Sequence, residues 1–488
     1  MGQTNYIVAI ELSSSKVTGA VGIETYNGIK IIATTSTPVD GYISKGVVRN
    51  VDKTSEAITY IINSLEPNLT NEDGKEIMIK KAYVSLAGLT IQSVQSKVTR
   101  GFDTYTKITS DIINDMELEN DERFQVPEGY SKVQVITQEY KVDGKTDHNP
   151  VGAPAMTIEG SYLSIVIKKQ FLEQLNESFR QANVEIADSF IAARMDADIL
   201  LTKDVRRNGC ALVNIGADTT TISIYNNDNL RMLKVLPLGS RNITRDLCAE
   251  QISYDAAEVI KITRGYKPLT NETEPIDNET VNNIICARMG EILQNVKYQI
   301  EESGEMIHNI IFTGGGARLK NLNILLEEYL PNFKTSIVSD PQLAFECKPG
   351  VNTFGIFTTA LYGLLNQGKE NCCEEVVYEA PIAGGTLFTD DAMQGNGSST
   401  DNSIKADPNA EKAKQEEEER KRIEEEIRKK EEEIRLKKEE EKKEKERKKQ
   451  ERKKKVLVSF GDLFGSFKEY IKDATSEDEN DSINNDEE

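Results

Sequence analysis

Two stretches of this chain, 204 residues apart, follow one plan. Residues 6–39 alternate as a three-stranded meander. YIVAIEL leads into the polar turn Ser13-Ser14-Ser15-Lys16, VTGAVGIE into an Asn27-Gly28 hairpin turn, and IKIIATTSTPV closes the unit. Residues 210–238 repeat it: CALVNI, the turn Gly216-Ala217-Asp218-Thr219, TTISIY, a turn at Asn226–Asn229, then LRMLKVLPLG. A repeated meander predicts two related domains facing each other. Each first turn is rich in small hydroxyl or glycine residues, which let backbone N–H groups and hydroxyls approach phosphate oxygens. Lys16 adds a point charge. A third element, residues 311–318, reads as a strand ending in Gly314-Gly315-Gly316 before a helix, with glycines that permit close approach to a flat ring. Any one of these turns alone reads as a plain hairpin. The three in this order point to a nucleotide held between two lobes.

Charge limits the other functions. The 488 residues carry 60 Lys+Arg against 81 Asp+Glu, a net charge of −21, which excludes a general nucleic-acid binder. Six cysteines show neither zinc spacing nor a disulfide framework, so a reduced, cytoplasmic compartment is expected. The two histidines, His148 and His308, have no ligand spacing and read as surface residues; no metal site is expected. The N-terminus lacks a basic n-region and does not read as a signal peptide. No run of 18 apolar residues spans a bilayer.

The last quarter changes character. Residues 369–410 are rich in Gly, Ser, Asn and Asp and read as a disordered linker, with Cys372 and Cys373 as incidental exposed thiols. Residues 411–455 hold 21 basic and 17 acidic residues. Glu precedes a base by four positions repeatedly, as in Glu416/Arg420, Glu424/Arg428 and Glu431/Arg435, which supports a solvated single helix; a disordered spacer is the alternative. Sustained heptads are missing, so a coiled coil is disfavoured. On a 100° helical projection of residues 456–472, Val456, Leu457, Phe460, Leu463, Phe464, Phe467 and Ile471 share one face, with Lys468 and Lys472 on its flank. Such a face at the end of a tether reads as an interfacial membrane helix; docking on the chain's own core or in a partner's groove are the competing readings. Residues 473–488 form an acidic tail.

The order phosphate turn, phosphate turn, Gly-Gly-Gly turn resembles the actin, hexokinase and sugar-kinase superfamily. More closely, the chain resembles the FtsA family of bacterial cell-division proteins, which tie FtsZ filaments to the membrane. GYISKGVVRNVDKTSEAITYII, AYVSLAGLTIQSVQSKVTRG, ADILLTKDVRRNGCALVNIGADTTTISIY, YDAAEVIKITRGY, FTGGGARLKNL and FGIFTTALYGLL follow in that family's order. The resemblance implies an α/β, actin-like two-lobe fold (a duplicated RNase H-like core) with an FtsA-type inserted subdomain. It divides the chain into lobe 1 (1–84 and 163–205) around the inserted subdomain (85–162). Lobe 2 follows as a phosphate-turn part (206–238), an upper subdomain (239–308) and an adenosine part (309–345), then a C-terminal core helix (346–368).

The resemblance also implies ATP in the cleft. Glu11, Ser13, Ser14, Ser15 and Lys16 take the first phosphate turn; Asn214, Gly216, Ala217, Asp218 and Thr219 the second. Glu258 and Lys261 are implied at the ribose and base, and Gly314, Gly315, Gly316 and Arg318 at the adenine. The second turn departs from the family's pattern: two carboxylates that would handle Mg2+ and position water are Asn214 and Thr221, and Asp218 stands where a glycine would cradle phosphate. Hydrolysis is therefore expected to be very slow or absent, although Asp218 could recover the lost carboxylate through Mg2+. No catalytic residue is assigned, and the chain reads as an ATP-binding structural protein, at most a weak ATPase. The implied partners are FtsZ through its C-terminal peptide, further copies of the chain, an anionic membrane surface and other division proteins, at the inner face of the cell membrane at the septum. The alternatives are an actin-like scaffold of another envelope machine of the pilus type, or a phosphotransferase of the same superfamily.

Overall fold

A computed structural model describes residues 4–26, 28–69, 76–267, 277–338, 346–351 and 358–375. The expected linker from residue 376, the charged spacer 411–455, the membrane-helix segment 456–472, the acidic tail and Asn27 of the first hairpin lie outside the described residues.

The chain begins with β1 (Tyr6–Leu12), β2 (Lys16–Thr25) and β3 (Gly28–Pro38), then a small hairpin of β4 (Ile43–Ser44) and β5 (Val47–Val48). Helix α1 (Val51–Leu65) follows, its first turn capped by Asn50, whose side chain accepts from Lys53 N at 2.9 Å. β6 (Ile77–Ile79) and β7 (Lys81–Leu86) lead into the inserted subdomain: β8 (Gln92–Lys107), α2 (Ser110–Arg123), β9 (Tyr130–Val142), β10 (Lys145–Asp147) and β11 (Pro154–Lys168). The chain returns through α3 (Lys169–Gln181), β12 (Glu185–Ile191), α4 (Ala192–Leu200) and α5 (Lys203–Arg207). The second lobe comprises β13 (Cys210–Ile215), β14 (Thr220–Asn226), β15 (Asn229–Leu236), α6 (Arg241–Ala249), α7 (Tyr254–Arg264), α8 (Asn278–Glu302), β16 (Asn309–Thr313), α9 (Leu322–Tyr329) and β17 (Lys334–Ile337). β18 (Glu346–Cys347), α10 (Thr359–Gln367) and β19 (Cys373–Glu375) return to the first lobe, where β18 pairs with β3 and α10 packs on α4 and β1.

The two lobes have the same sheet. The first runs β3-β2-β1-β7-β12, extended by β18, and the second β15-β14-β13-β16-β17. In each, a three-stranded antiparallel meander is followed by two parallel strands. The duplication expected from the meanders therefore extends to the crossover strands. Strands covered on both faces read as near-continuous apolar runs, and β1 is buried at six of its seven positions. β13 shows why both faces must be apolar. Ala211, Val213 and Ile215 enter the second lobe's core with Met289 and Phe312, whereas Cys210 and Leu212 join the first lobe's core. The sheet of one lobe is thus covered on one side by the other lobe, and the cleft opens where β13 ends.

The inserted sheet, ordered β10-β9-β11-β8, carries α2 and a small core around Met116, Tyr140, Ile158 and Tyr162. Although it interrupts lobe 1, it is pinned to the edge strand of lobe 2. Ser93 Oγ donates to Leu233 O at 3.1 Å and accepts from Leu233 N at 2.8 Å. Arg231 of β15 pairs with Glu139 at 3.0 Å. This contact covers the β15 edge, a row of backbone groups otherwise open to foreign strands.

The expected linker start at 369 is corrected. Cys372 donates its backbone N–H to Tyr6 O at 2.8 Å, its carbonyl accepts from Lys80 N and Lys81 N, and β19 pairs antiparallel with β6. The two thiols are not exposed. Cys372 is 1 % and Cys373 4 % accessible, and burial raises the Cys372 thiol to about 11, which makes it a poor nucleophile. All six cysteines are free, and both histidines lie on the surface as expected.

Candidate functional site

The ends of β1, β13 and β16 converge on one cavity of about 700 Å3, within the range of small-ligand sites. Fifteen of the sixteen residues assigned to nucleotide from the sequence line it: Glu11, Ser13, Ser14, Ser15, Lys16, Asn214, Gly216, Ala217, Thr219, Glu258, Lys261, Gly314, Gly315, Gly316 and Arg318.

The first turn is closed by its own hydroxyl. Ser13 N–H donates to Lys16 O at 3.1 Å, and Ser13 Oγ donates to that carbonyl at 2.7 Å while accepting from Lys16 N at 3.2 Å. Lys16 is half-buried; burial lowers its ammonium below the ordinary value, opposed by Glu11 and assisted by Arg318. In the second turn, Gly216 N donates to Thr219 O at 2.8 Å, and Arg241 N at the start of α6 donates to Ala217 O at 2.8 Å. Gly314, at φ +90°, shows why the third turn needs glycine. A Cβ there would lie 2.3 Å from Asn214 Oδ1 and 2.6 Å from Ile215 O. The close approach is to β13 itself, and of the three glycines only Gly315 has open space where a side chain would be.

Asp218 is the exception and corrects the sequence reading. Its carboxylate does not line the cavity. It is 4 % exposed, accepts from Arg241 Nη1 at 2.7 Å, and with its other oxygen accepts from Lys45 N at 3.1 Å and Ser44 Oγ at 3.4 Å. A carboxylate spent in this way does not supply the acid missing at Asn214 and Thr221.

The acid at the base of the cleft comes from elsewhere. Asn214 Nδ2 donates to Asp196 Oδ2 at 2.8 Å, and Asp196 also accepts from Thr359 Oγ1. Glu11 accepts from Thr358 Oγ1, the cap of α10. Burial raises both carboxyl groups above their ordinary values; Asp196 pushes Glu11 further, while Thr358 and Lys16 oppose it, and the hydroxyl and amide donors oppose the shift at Asp196. Sequence reasoning missed Asp196, Thr358, Thr359 and Arg241. A signal existed for Asp196: it shares the buried face of α4 with Ala192, Ala193 and Met195, and an acid on an apolar helix face calls for a partner. Among the described residues no group of three or more His, Cys, Asp or Glu side chains is placed to hold a metal ion.

At the far wall, Glu258 and Lys261 lie one helical turn apart on α7. Lys261 Nζ donates to Glu258 at 2.8 Å and to Thr244 Oγ1 at 3.0 Å, and that hydroxyl donates to Glu258 at 2.6 Å. Burial works to raise the Glu258 carboxyl, but Lys261 and Thr244 outweigh it and leave it below its ordinary value; burial lowers Lys261 against the pull of Glu258. Tyr254 and Ile262 complete the wall with apolar surface.

Two family models match the chain. That of "Cell division protein FtsA" covers residues 211–345, and that of the "SHS2 domain inserted in FTSA" covers 88–166, the segment that forms the four-stranded sheet. Over these segments the chain is similar to the FtsA family. FtsA of Bacillus subtilis (strain 168) is 26% identical over 355 residues, 68% of this chain and 78% of the relative. FtsA of Porphyromonas gingivalis (strain ATCC BAA-308 / W83) is 27% identical over 354 residues, covering 68% and 72%. In three dimensions the chain is similar to a solved PilM-PilN type IV pilus biogenesis complex, with a TM-score of 0.52 at 15% identity, covering 74% of this chain and 97% of that one. That likeness shows the actin-like fold. The chain is an actin-like cell-division protein with the nucleotide cleft of that fold, and no described helix is long and apolar enough to cross a membrane.

Proposed function

We propose that this FtsA-like chain binds the C-terminal peptide of FtsZ through lobe 2 residues 239–308 and ties FtsZ filaments to the inner face of the cell membrane at the division septum. Retention comes from self-association, which links many weak anchors of the 456–472 type. ATP, with or without Mg2+, is a structural ligand of the cleft that is held but turned over slowly or not at all. The observation that carries this reading is a cleft with all three turns in place whose two metal-handling positions are Asn214 and Thr221, one of them already bonded to Asp196. Such a site keeps the cations that attract phosphate and has no carboxylate at the two second-turn positions that would handle metal and orient water.

Titration of the full chain with a fluorescent ATP analogue, alongside phosphate release, tests the cleft. Saturable binding without steady turnover, weakened about tenfold by Lys16→Ala, is expected; sustained multiple turnovers contradict the reading. Binding of a synthetic FtsZ C-terminal peptide in the same preparation separates the division scaffold from a pilus-type scaffold, which predicts none.

A further inference from the structure

The two phosphate-facing turns are joined to each other by protein atoms. Arg241 begins α6 in lobe 2 and reaches across the cleft. Its Nη1 donates to Asp218 of the second turn at 2.7 Å, and its Nη2 donates to the Ser14 carbonyl of the first turn at 2.7 Å. The same Asp218 carboxylate accepts from Lys45 N at 3.1 Å, in the tip between β4 and β5 of lobe 1. The next residue of that tip, Gly46, donates its N–H to Ser14 Oγ at 2.8 Å. The contacts close into a ring: Arg241, Asp218, Lys45-Gly46, Ser14, and back to Arg241. The ring crosses between lobes twice and is shielded from water, with Ser14 7 % exposed and the Arg241 side chain 16 %.

The tip is itself tightly held. Lys45 and Gly46 have φ of +54° and +70°, and a Cβ at Gly46 would lie 2.5 Å from Gly88 Cα in the loop after β7. Leu89 N donates to Lys45 O at 3.0 Å. A backbone in this conformation persists where its surroundings over-determine it. The ring therefore rests on a rigid support in lobe 1 and ends in a charge-assisted, two-pronged contact from lobe 2.

In a two-lobe protein with a nucleotide in its cleft, phosphates that touch both turns would favour the state in which the turns are close. We infer that here Arg241 and Asp218 form an internal bolt that holds the two turns together without nucleotide, so that the closed arrangement of the lobes belongs to the chain itself. A ligand shifts a conformational equilibrium only by its differential affinity for the two states. With the bolt in place, filling the cavity leaves lobe closure nearly unchanged.

The test is amide hydrogen exchange of the full-length chain without added nucleotide, read at Lys45 and Gly46. Strong protection of both amides in the wild type is expected. Arg241→Met removes the charge at similar size, and Asp218→Asn keeps an acceptor but loses the ion pair. Each variant is expected to exchange at these amides at least about tenfold faster. Protection of α1 core amides such as Ile58 and Ile61 should stay as in the wild type, which separates an opened bolt from an unfolded chain. Unprotected Lys45 and Gly46 amides in the nucleotide-free wild type overturn the inference, as do variants whose exchange there is unchanged. None of these arms uses nucleotide, so failure of the bolt is distinct from failure of the cleft to bind ATP.

Discussion

Asn214 stands 2.8 Å from the Asp196 carboxylate and donates to it. An aspartate at the same place would set two buried carboxylates against each other. Asn214→Asp is expected to lower stability by about 2 kcal/mol in the absence of Mg2+, the scale of one lost charged hydrogen bond, seen as a lower denaturant midpoint. The same variant, supplied with Mg2+, is expected to turn ATP over faster than the wild type; no gain contradicts the account of the second turn. Glu11 permits a test in pH. Its carboxyl is raised in the folded chain, so the folded state favours the protonated form: the stabilising contribution is complete below the ordinary value of 4.5 and is lost as pH rises through the folded value. Glu11→Gln, which still accepts from Thr358, should therefore melt above the wild type at pH 7, and the two curves should converge below pH 4.5. A constant gap across that range excludes Glu11 as the cause. At this scale the turns were legible and one side chain was not. Small residues between alternating strands mark where backbone turns, but nothing in the turn says that Asp218 leaves the cavity. That depends on Arg241, 23 positions on, and on a hairpin tip 173 positions back.

The meanders could be read as elements because their alternation has period two and their turns carry hydroxyl, asparagine and glycine residues. The pairing of β7 with β1 and of β16 with β13 is set by crossovers through distant segments, and period alone does not encode it. β19 illustrates the limit: three residues in a polar stretch read as linker, yet the carbonyl and N–H of Cys372 meet partners from both β1 and the β6–β7 segment. The docking of the inserted subdomain on β15 is equally long-range. It suggests a direct experiment on Arg231, whose guanidinium pairs with the largely buried Glu139. Arg231→Ala leaves that carboxylate without its partner and should cost about 3 kcal/mol. The denaturant midpoint should fall, and amides of β8 and β9 should lose protection before those of β1. An unchanged midpoint shows that the Arg231–Glu139 pair does not hold the inserted sheet in place.

Over the whole molecule, two copies of one sheet topology enclose a cleft, and the differences between the copies set its chemistry. The first copy supplies Glu11 and Lys16; the second supplies Asn214 and a turn whose acid is bonded to Arg241. In the proposed scaffold the bolt sets the geometry of the lobes and nucleotide turnover supplies no energy, so its work lies in what it joins. In the proposed function one end of that joint is lobe 2, and the other is the apolar face that the sequence predicts from Val456, Leu457, Phe460, Leu463, Phe464, Phe467 and Ile471. The Gly461 and Gly465 positions weaken that helix in water by about 1 kcal/mol each, so folding on contact with lipid is expected. The decisive measurement is flotation of FtsZ polymers on anionic liposomes with the full-length chain and with a chain ending at Lys455. The account predicts that FtsZ floats with the full-length chain alone. Flotation of the chain without FtsZ contradicts the division partner, and failure of the full-length chain to float contradicts the membrane tether.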